Sequence, residues 1–290
     1  MSSTSGIDRQ TTLDQREQRL HEILARLGRV AVAFSGGVDS SYLLAAAVDT
    51  LGRDHVIALT ADSPLVPNSE RDTAVAVARQ LGAEHRLVPF DELAIPGVVE
   101  NSPQRCYYCK RARFEALYAL LRDAASDGDA TEAVLVHGEN VDDGDDFRPG
   151  AVAARELGVR APLAEAGLTK ADIRTLSRRR GLPTWDHPAA ACLASRFPYG
   201  TPITRQGLER VERAESTLQA LTGLRQVRVR DHYPVARIEA PPDAIARLAE
   251  DNLRRRIHDA LVAAGYRYIT LDLLGYRMGS LNEAIEEPDR

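Results

Sequence analysis

The chain has 290 residues, 44% of them hydrophobic and 27% charged, which is typical of a globular protein. No apolar run approaches the ~18 residues that a membrane span needs. The polar start, Met1 to Gln10, has no signal-peptide core. The net charge of −5 weighs against an enzyme that grips tRNA, which needs a broad basic face. The chain has three cysteines, which is an odd number and too few for a disulfide framework. This count predicts that the protein is located in the reducing cytoplasm.

The first part of the chain alternates predicted strands with predicted helices. We expect residues 1–12 to be disordered and residues 14–28 to form an amphipathic helix. Predicted strands cover 30–34, 55–60, 84–89 and 133–137, and predicted helices cover 40–51, 69–81 and 107–123. This alternation predicts an α/β fold with a doubly wound parallel sheet, in which ligands bind at the carboxyl ends of the strands.

The first strand ends in Ser35-Gly-Gly-Val-Asp-Ser40, and a helix follows at once. Glycines let backbone N–H groups approach an anion, and the start of a helix favours negative charge. The hydroxyls of Ser35, Ser40 and Ser41 add donors, and Asp39 is a candidate ligand for Mg²⁺. The loop is neither a Walker A motif nor a dinucleotide fingerprint. It resembles the SGGxDS loop of the PP-loop ATP pyrophosphatases, which split ATP into AMP and pyrophosphate.

The pattern changes beyond the Pro- and Gly-rich stretch from Trp185 to Pro202. Predicted helices cover 204–221 and 243–264, and predicted strands cover 226–230, 235–239 and 268–272. We therefore expect an ATP-binding domain over 13–198. A smaller α+β domain over 199–290 is expected to serve substrate binding or oligomerisation.

Cys106 and Cys109 begin a predicted helix among basic residues, which is typical of reactive or metal-bound thiols. Cys192 lies far along the chain. The residues leave four interpretations open: a redox pair, a zinc site that recruits His187, three unrelated cysteines, or a [4Fe–4S] cluster on three thiolates. Only the last links the cysteines to the ATP loop, because an iron left open can carry sulfide to an activated substrate.

Five motifs occur in an order that resembles the LarE family of sulfur transferases. They are the loop at 35–40, Arg105-Cys-Tyr-Tyr-Cys-Lys110, Asp146-Phe-Arg-Pro-Gly150, Ala191-Cys-Leu-Ala-Ser-Arg-Phe-Pro-Tyr-Gly200 and Val227-Arg-Val-Arg230. The resemblance covers about residues 14–283. One branch of the LarE family has three cysteines and carries a [4Fe–4S] cluster. Another branch sacrifices one cysteine, at the position of Cys192, and is left with dehydroalanine.

The resemblance implies a set of site residues. For ATP they are Ala33, Phe34, Ser35, Gly36, Gly37, Asp39, Ser40, Ser41, Ser63 and Gly138, with Mg²⁺ on Asp39. The catalytic group comprises Cys106, Cys109, Cys192, Lys110 and Arg196. The residues that match the family's pocket for the substrate phosphate are Arg228, Arg230 and Glu239. Glu215 matches a family carboxylate. Two arginines at alternate positions of a strand point the same way and suit a phosphate.

The resemblance also implies a reaction. ATP would adenylylate a carboxylate of pyridinium-3,5-biscarboxylic acid mononucleotide, a small-molecule substrate, and sulfur would then replace AMP to give a thiocarboxylate for the nickel-pincer cofactor of lactate racemase. A sulfide donor and a homo-oligomer, a hexamer in the family, are implied as partners. Alternatives left open are sacrificial transfer from Cys192, tRNA thiolation, ammonia transfer and a nucleotide-binding module without catalysis.

Overall fold

A computed structural model of the chain describes residues 4–126, 133–143, 149–188 and 191–277. The chain divides into two compact units. The first comprises residues 1–91 and 106–190, and the second comprises 92–105 and 191–290. In this division two segments predicted to lie in the ATP-binding domain, residues 92–105 and 191–198, belong with the C-terminal part of the chain.

The first unit is built on a four-stranded parallel sheet, as the sequence predicts. Its strands are β1 (Val30–Ala33), β2 (Val56–Asp62), β3 (Glu84–Pro89) and β4 (Val134–His137). They lie in the order β3-β2-β1-β4 and every pair is parallel. Because β1 is central, its carboxyl end lies between those of β2 and β4. That is where a ligand is expected to bind.

Helices cover both faces of this sheet. They are α1 (Thr4–Leu27), α2 (Val38–Leu51), α3 (Asn68–Leu81), α5 (Arg105–Ser126), α6 (Pro149–Glu156), α7 (Pro162–Glu165) and α8 (Lys170–Arg179), while α4 (Pro96–Val99) belongs to the second unit. Side chains of a strand alternate between faces. Val30 and Val32 accordingly join the core under α1, α2 and α3, whereas Ala31 joins Phe114 of α5 in the core of the opposite face.

The second unit has a three-stranded mixed sheet packed on two helices. Its elements are α9 (Arg205–Thr222), β5 (Arg228–His232), β6 (Val235–Glu239), α10 (Ile245–Leu248), α11 (Asp251–Ala263) and β7 (Tyr268–Leu271). Strand β6 pairs antiparallel with β5 and parallel with β7. Buried residues of α9, α11 and the sheet form one core.

The structure departs from the predicted elements in two places. Residues 4–12, predicted to be disordered, belong to helix α1. The predicted helix over 243–264 is broken, because Glu250 adopts an extended conformation and Asp251 starts a new helix at the end where its charge is favourable. Most of the motif from Asp146 to Gly150 lies outside the described residues, which resume at Pro149. None of the helices in the described ranges is long and apolar enough to cross a membrane.

Candidate active site

The loop that connects β1 to α2 requires a glycine at position 36. Gly36 has φ +73°, and a Cβ there would lie 2.8 Å from both N and Cα of Ala74 in α3. The loop therefore passes close against a neighbouring helix backbone. Gly37 caps α2 in an extended conformation, so the first amides of the helix face out of the turn without intrahelical acceptors.

Hydroxyl groups inside the loop fix its shape. Ser40 Oγ donates to Gly37 O at 3.2 Å and accepts from Ser35 N at 3.3 Å. The two hydroxyls, Ser35 Oγ and Ser40 Oγ, lie 3.0 Å apart. Ser41 N donates to Gly37 O at 2.9 Å, and its buried Oγ has no hydrogen-bond partner within the described part of the chain. The loop is thus held in shape before any ligand binds.

Gly138 brings the end of β4 onto the start of α2. A Cβ at Gly138 would lie 2.9 Å from Ser40 N and 3.2 Å from the carbonyl carbon of Asp39. Any larger residue would push the strand away from the helix. Because glycine has no side chain, the end of β4 lies directly against the backbone of the ATP loop.

Asp39 lies in the first turn of α2 and pairs with Lys170, the first residue of α8. Lys170 Nζ is 2.5 Å from Asp39 Oδ2. Asp39 Oδ1 is buried and has no hydrogen-bond partner among the described residues. Burial raises the pKa of Asp39, and the charge of Lys170 opposes that rise. A buried carboxylate oxygen without a donor is a suitable ligand for a hard cation, so Asp39 fits Mg²⁺.

The residues predicted to contact adenosine lie at the ends of the adjacent strands β1 and β2. Phe34 O accepts from Thr60 Oγ1 at 2.7 Å, and Thr60 Oγ1 lies 2.9 Å from His85 Nε2. Ser63 Oγ accepts from Leu65 N at 3.1 Å. Ala33 pairs in register with Leu59 and His137 of the flanking strands. These contacts bring Ala33, Phe34 and Ser63 to the same edge of the sheet as the loop.

Lys110 lies at the same edge, beside a buried carboxylate. Its Nζ is 4.0 Å from Glu139 Oε2, and His137 Nε2 is 3.6 Å from that oxygen. Burial, assisted by the charge of Lys110, lowers the pKa of His137 to about 3. The imidazole is therefore neutral at ordinary pH.

Two of the three cysteines lie at the start of α5, in the first unit. Cys106 is exposed and Cys109 is partly buried, with Arg113 Nη2 3.8 Å from Cys109 Sγ. Gly150 of α6 packs on this turn, because a Cβ there would lie 3.0 Å from Lys110 Cδ and 3.4 Å from Cys106 O. The close approach explains the glycine that ends the third predicted motif.

Cys192 belongs to the second unit and precedes a 3₁₀ turn over Leu193–Arg196. Arg196 forms a bidentate pair with Glu215 at 2.9 and 2.8 Å, and it also donates to Ala191 O and Cys192 O. Arg196 thus supports the backbone of the cysteine loop, and Glu215 holds the Arg196 guanidinium in place.

Arg228, Arg230 and Glu239 lie together on β5 and β6. Arg230 Nη2 is 2.7 Å from Glu239 Oε2, whereas Arg228 Nη1 donates only to Val227 O. Among the described residues, no carboxylate lies within hydrogen-bonding distance of Arg228. Burial is the main cause that lowers the pKa of Arg228, and the nearby charge of Arg196 lowers it further. A buried guanidinium without an acidic partner suits an anion such as a phosphate.

The described residues contain no group of three or more His, Cys, Asp or Glu side chains arranged to hold a metal ion. This applies both to the predicted iron–sulfur cluster and to the zinc site with His187. Three thiolates are suitable ligands for a cluster, but an assembled set of three is not observed.

Comparison with known proteins identifies the family. The asparagine synthase family, a PP-loop fold, matches residues 20–128. The chain is 40% identical to protein slr1717 of Synechocystis over 94% of this chain and 99% of that protein. It is 39% identical to pyridinium-3,5-bisthiocarboxylic acid mononucleotide synthase of Lactiplantibacillus plantarum over 94% of this chain and 96% of that enzyme. The chain belongs to the LarE family that its motifs resemble. Membership confirms the predicted fold class and the prediction of an ATP-dependent sulfurtransferase.

Lys170 was not predicted as a site residue of this LarE-family chain, although the composition carried a signal. Only two of the 37 basic Lys and Arg residues are lysines, Lys110 and Lys170. Both contact buried carboxylates in the first unit. In a chain that otherwise uses arginine, a lysine marks a position where a compact charge is needed. Glu139 was missed too, because one glutamate after a strand has no distinguishing pattern.

Proposed function

We propose that this LarE-family protein uses ATP to adenylylate a carboxylate of pyridinium-3,5-biscarboxylic acid mononucleotide and then replaces AMP by sulfur. The product would be a thiocarboxylate precursor of the nickel-pincer cofactor of lactate racemase. The observation that carries the proposal is the match to the Lactiplantibacillus enzyme along nearly the whole of both chains. The buried Arg228, which lacks an acidic partner among the described residues, supports a phosphorylated substrate.

The ATP phosphates would bind on the loop from Ser35 to Ser41. The amides at the start of α2 and the hydroxyls of the loop supply donors, and the helix dipole favours the negative charge. Mg²⁺, held by Asp39, would neutralise phosphate charge when bound. Ala33, Phe34, Ser63 and Gly138 would line the nucleotide, since Ala33 ends a strand at this edge and each of the others directly follows one.

Lys170 has a role that follows from its contact with Asp39. Its ammonium group now compensates the carboxylate that a cation would need. The flexible lysine side chain could leave Asp39 when that carboxylate serves as a metal ligand, and it would then bind a phosphate oxygen. Lysine suits this exchange better than arginine, because its compact charge needs no fixed geometry.

The adenylylation step needs no protein base. A carboxylate oxygen of the substrate attacks the α-phosphorus of ATP, the bond from that phosphorus to the bridging oxygen breaks, and pyrophosphate leaves. Charge develops on oxygen atoms throughout, so fixed donors and cations dominate the catalysis. Without substrate, the carboxylate of Glu139 compensates the charge of Lys110, whose Nζ lies 4.0 Å from Glu139 Oε2. Lys110 is proposed to stabilise the reacting carboxylate or the phosphate.

Sulfur then displaces AMP: a sulfide attacks the acyl carbon, the carbon–oxygen bond to AMP breaks, and a thiocarboxylate results. A [4Fe–4S] cluster on Cys106, Cys109 and Cys192 would leave one iron open to supply that sulfide. The alternative source is Cys192 itself. Its thiolate would form a thioester with loss of AMP, and loss of the Cα proton would break the Cβ–S bond and leave dehydroalanine.

Pyrophosphate release with the mononucleotide substrate tests the enzyme proposal, and anaerobic reconstitution tests the sulfur source. A visible charge-transfer band with about four irons per chain, and repeated turnover with added sulfide, would support the cluster. A loss of one H₂S in mass from Cys192 after a single turnover would support the sacrificial route. The double variant Cys106→Ser/Cys109→Ser is the control, since it abolishes only the cluster-dependent route. If the wild-type protein releases no pyrophosphate with this substrate, the proposed function is wrong.

The remaining proposals concern the setting of the reaction. We expect the second unit to bind substrate and to take part in oligomerisation, in a hexamer as in the family. A cytoplasmic location suits a chain that uses ATP and carries three thiols. A sulfide-generating protein is the expected partner, and RNA is not. Binding of tRNA at ~150 mM salt would instead favour thiolation of RNA.

A further inference from the structure

Buried guanidinium groups hold the backbone of the loop that carries Cys192. Four of its carbonyl oxygens each accept a hydrogen bond from one of three arginines, all within the second unit. They are Ala191 O (2.6 Å) and Cys192 O (3.0 Å) from Arg196, Ala194 O (2.9 Å) from Arg105, and Ser195 O (2.6 Å) from Arg230. Bonds from charged donors are stronger than ordinary ones, so the loop has little freedom.

Arg105 differs from the other two arginines. Arg196 and Arg230 pair with buried glutamates. Arg105 is also buried, at 4% exposure, but in the described structure its acceptors are neutral: Asn101 Oδ1, Ala194 O and the face of Tyr199, 5.1 Å away. A buried charge compensated by neutral groups is costly. Its position therefore indicates a role that a neutral side chain does not fill.

Asn101 extends this support to the rest of the loop. Its Nδ2 donates to Pro198 O at 2.7 Å and to Thr201 O at 3.0 Å, and its own carbonyl accepts from Gly200 N at 3.0 Å. Asn101 is fully buried with φ 55°, a left-handed conformation that is unfavourable for a non-glycine residue. The surrounding hydrogen bonds must outweigh that cost.

We propose that Asn101 and Arg105 are positioning residues for Cys192. Arg105 is the first residue of α5, and the next turn carries Cys106 and Cys109. The short segment that holds the Cys192 loop therefore leads directly into the other two thiols. The hydrogen-bonded segment from Asn101 to Arg105 thus fixes the Cys192 loop within the second unit and is continuous in sequence with the turn that carries the other two thiols. The inference deepens the proposed sulfur transfer and rests on it.

The decisive measurement is the alkylation rate of Cys192, followed by mass spectrometry in a Cys106→Ser/Cys109→Ser background. The test variants are Arg105→Gln and Asn101→Gly. Glycine adopts the left-handed conformation without strain, so Asn101→Gly removes only the side-chain bonds. Arg247→Gln is the matched control, because Arg247 also donates to a backbone carbonyl of this unit, that of Thr222. Without these buried hydrogen bonds the loop opens more often, so we expect on the order of tenfold faster labelling in both test variants.

The same substitutions, made with all three cysteines present, are expected to lower kcat for thiocarboxylate formation while KM for ATP and pyrophosphate release stay within about twofold of wild type. Arg105→Lys, which keeps the charge, should recover part of the loss. A melting transition close to that of wild type shows that each variant is folded. If labelling and sulfur transfer in Asn101→Gly match those of Arg247→Gln, the inference is wrong. If wild type itself forms no thiocarboxylate, the proposed function fails, and the labelling rates still decide whether these residues position Cys192.

Discussion

Gly36→Ala is the sharpest test of how the ATP loop is built. The substitution adds one methyl group at a residue with φ +73°, 2.8 Å from the N and Cα atoms of Ala74. Those atoms belong to the backbone of α3, so the contact cannot be relieved by rotating a side chain. Either the loop or the helix must move.

The cost has two parts that can be separated. A left-handed conformation costs alanine about 1–2 kcal/mol relative to glycine. Overpacking against a rigid neighbour adds about 1–3 kcal/mol. Gly158→Ala isolates the first part, because Gly158 has φ +69° and a Cβ there would meet nothing within 4 Å. The difference between the two variants is therefore the cost of the close approach.

Thermal unfolding and pyrophosphate release measure the two consequences. For a domain of this size, about 1 kcal/mol corresponds to a Tm change of ~2–4 °C. We expect Gly36→Ala to melt several degrees below Gly158→Ala and to raise KM for ATP, whereas Gly158→Ala keeps the wild-type KM. Equal melting temperatures and equal KM values in the two variants would refute the idea that contact with α3 shapes the loop.

Three further predictions concern buried charges. The pKa of His137 is about 3 in the folded state against an ordinary 6.5, so the unfolded state binds the proton first and stability falls as pH drops below 6.5, by about 2 kcal/mol at pH 5. Denaturant unfolding at pH 7 and pH 5 should show this loss in wild type and in the exposed control His55→Gln, but not in His137→Gln. Arg230→Gln leaves a buried glutamate with one partner fewer and should cost about 3–5 kcal/mol, whereas Arg228→Gln should leave Tm unchanged or higher and raise only KM for the mononucleotide. Because burial raises the pKa of Asp39, ionisation of its carboxyl group destabilises the folded state as pH rises through that raised pKa. Asp39→Asn removes this effect, so its stability relative to wild type should be greater at pH 8 than at pH 4. The same variant should lose pyrophosphate release. A wild-type-like Tm profile in Asp39→Asn would contradict this expected gain in stability.

The sheet and the ATP loop were predictable because each depends on local signals. Apolar runs separated by helical periodicity identify buried parallel strands, and the glycines and serines after β1 carry their own geometry. The bounds of β3 and α3 agree with prediction to within one residue. The helix over 243–264 failed for a related reason: its periodicity continues across Glu250, where a change of backbone direction leaves no gap in the apolar pattern.

Contacts between distant segments were not predictable in this way. Lys170 follows an ordinary N-cap threonine, and nothing nearby in sequence connects it to Asp39, 131 residues earlier. Asn101 and Arg105 lie in a stretch without periodicity, yet they organise a loop about ninety residues away. Such pairs depend on the complete fold, and the sequence shows them only through bias in composition.

That bias connects the two halves of the proposed reaction. The chain uses arginine where a planar fork must hold fixed acceptors, as on the carbonyls around Cys192. It keeps lysine only at Lys110 and Lys170, each beside a buried carboxylate near the ATP loop. A strongly hydrated ammonium on a flexible stem can leave a carboxylate for a phosphate without reorganising its neighbours. In the proposed reaction, the fixed cations would hold the Cys192 loop in position. The exchangeable cations would serve ATP, whose charge changes as pyrophosphate departs.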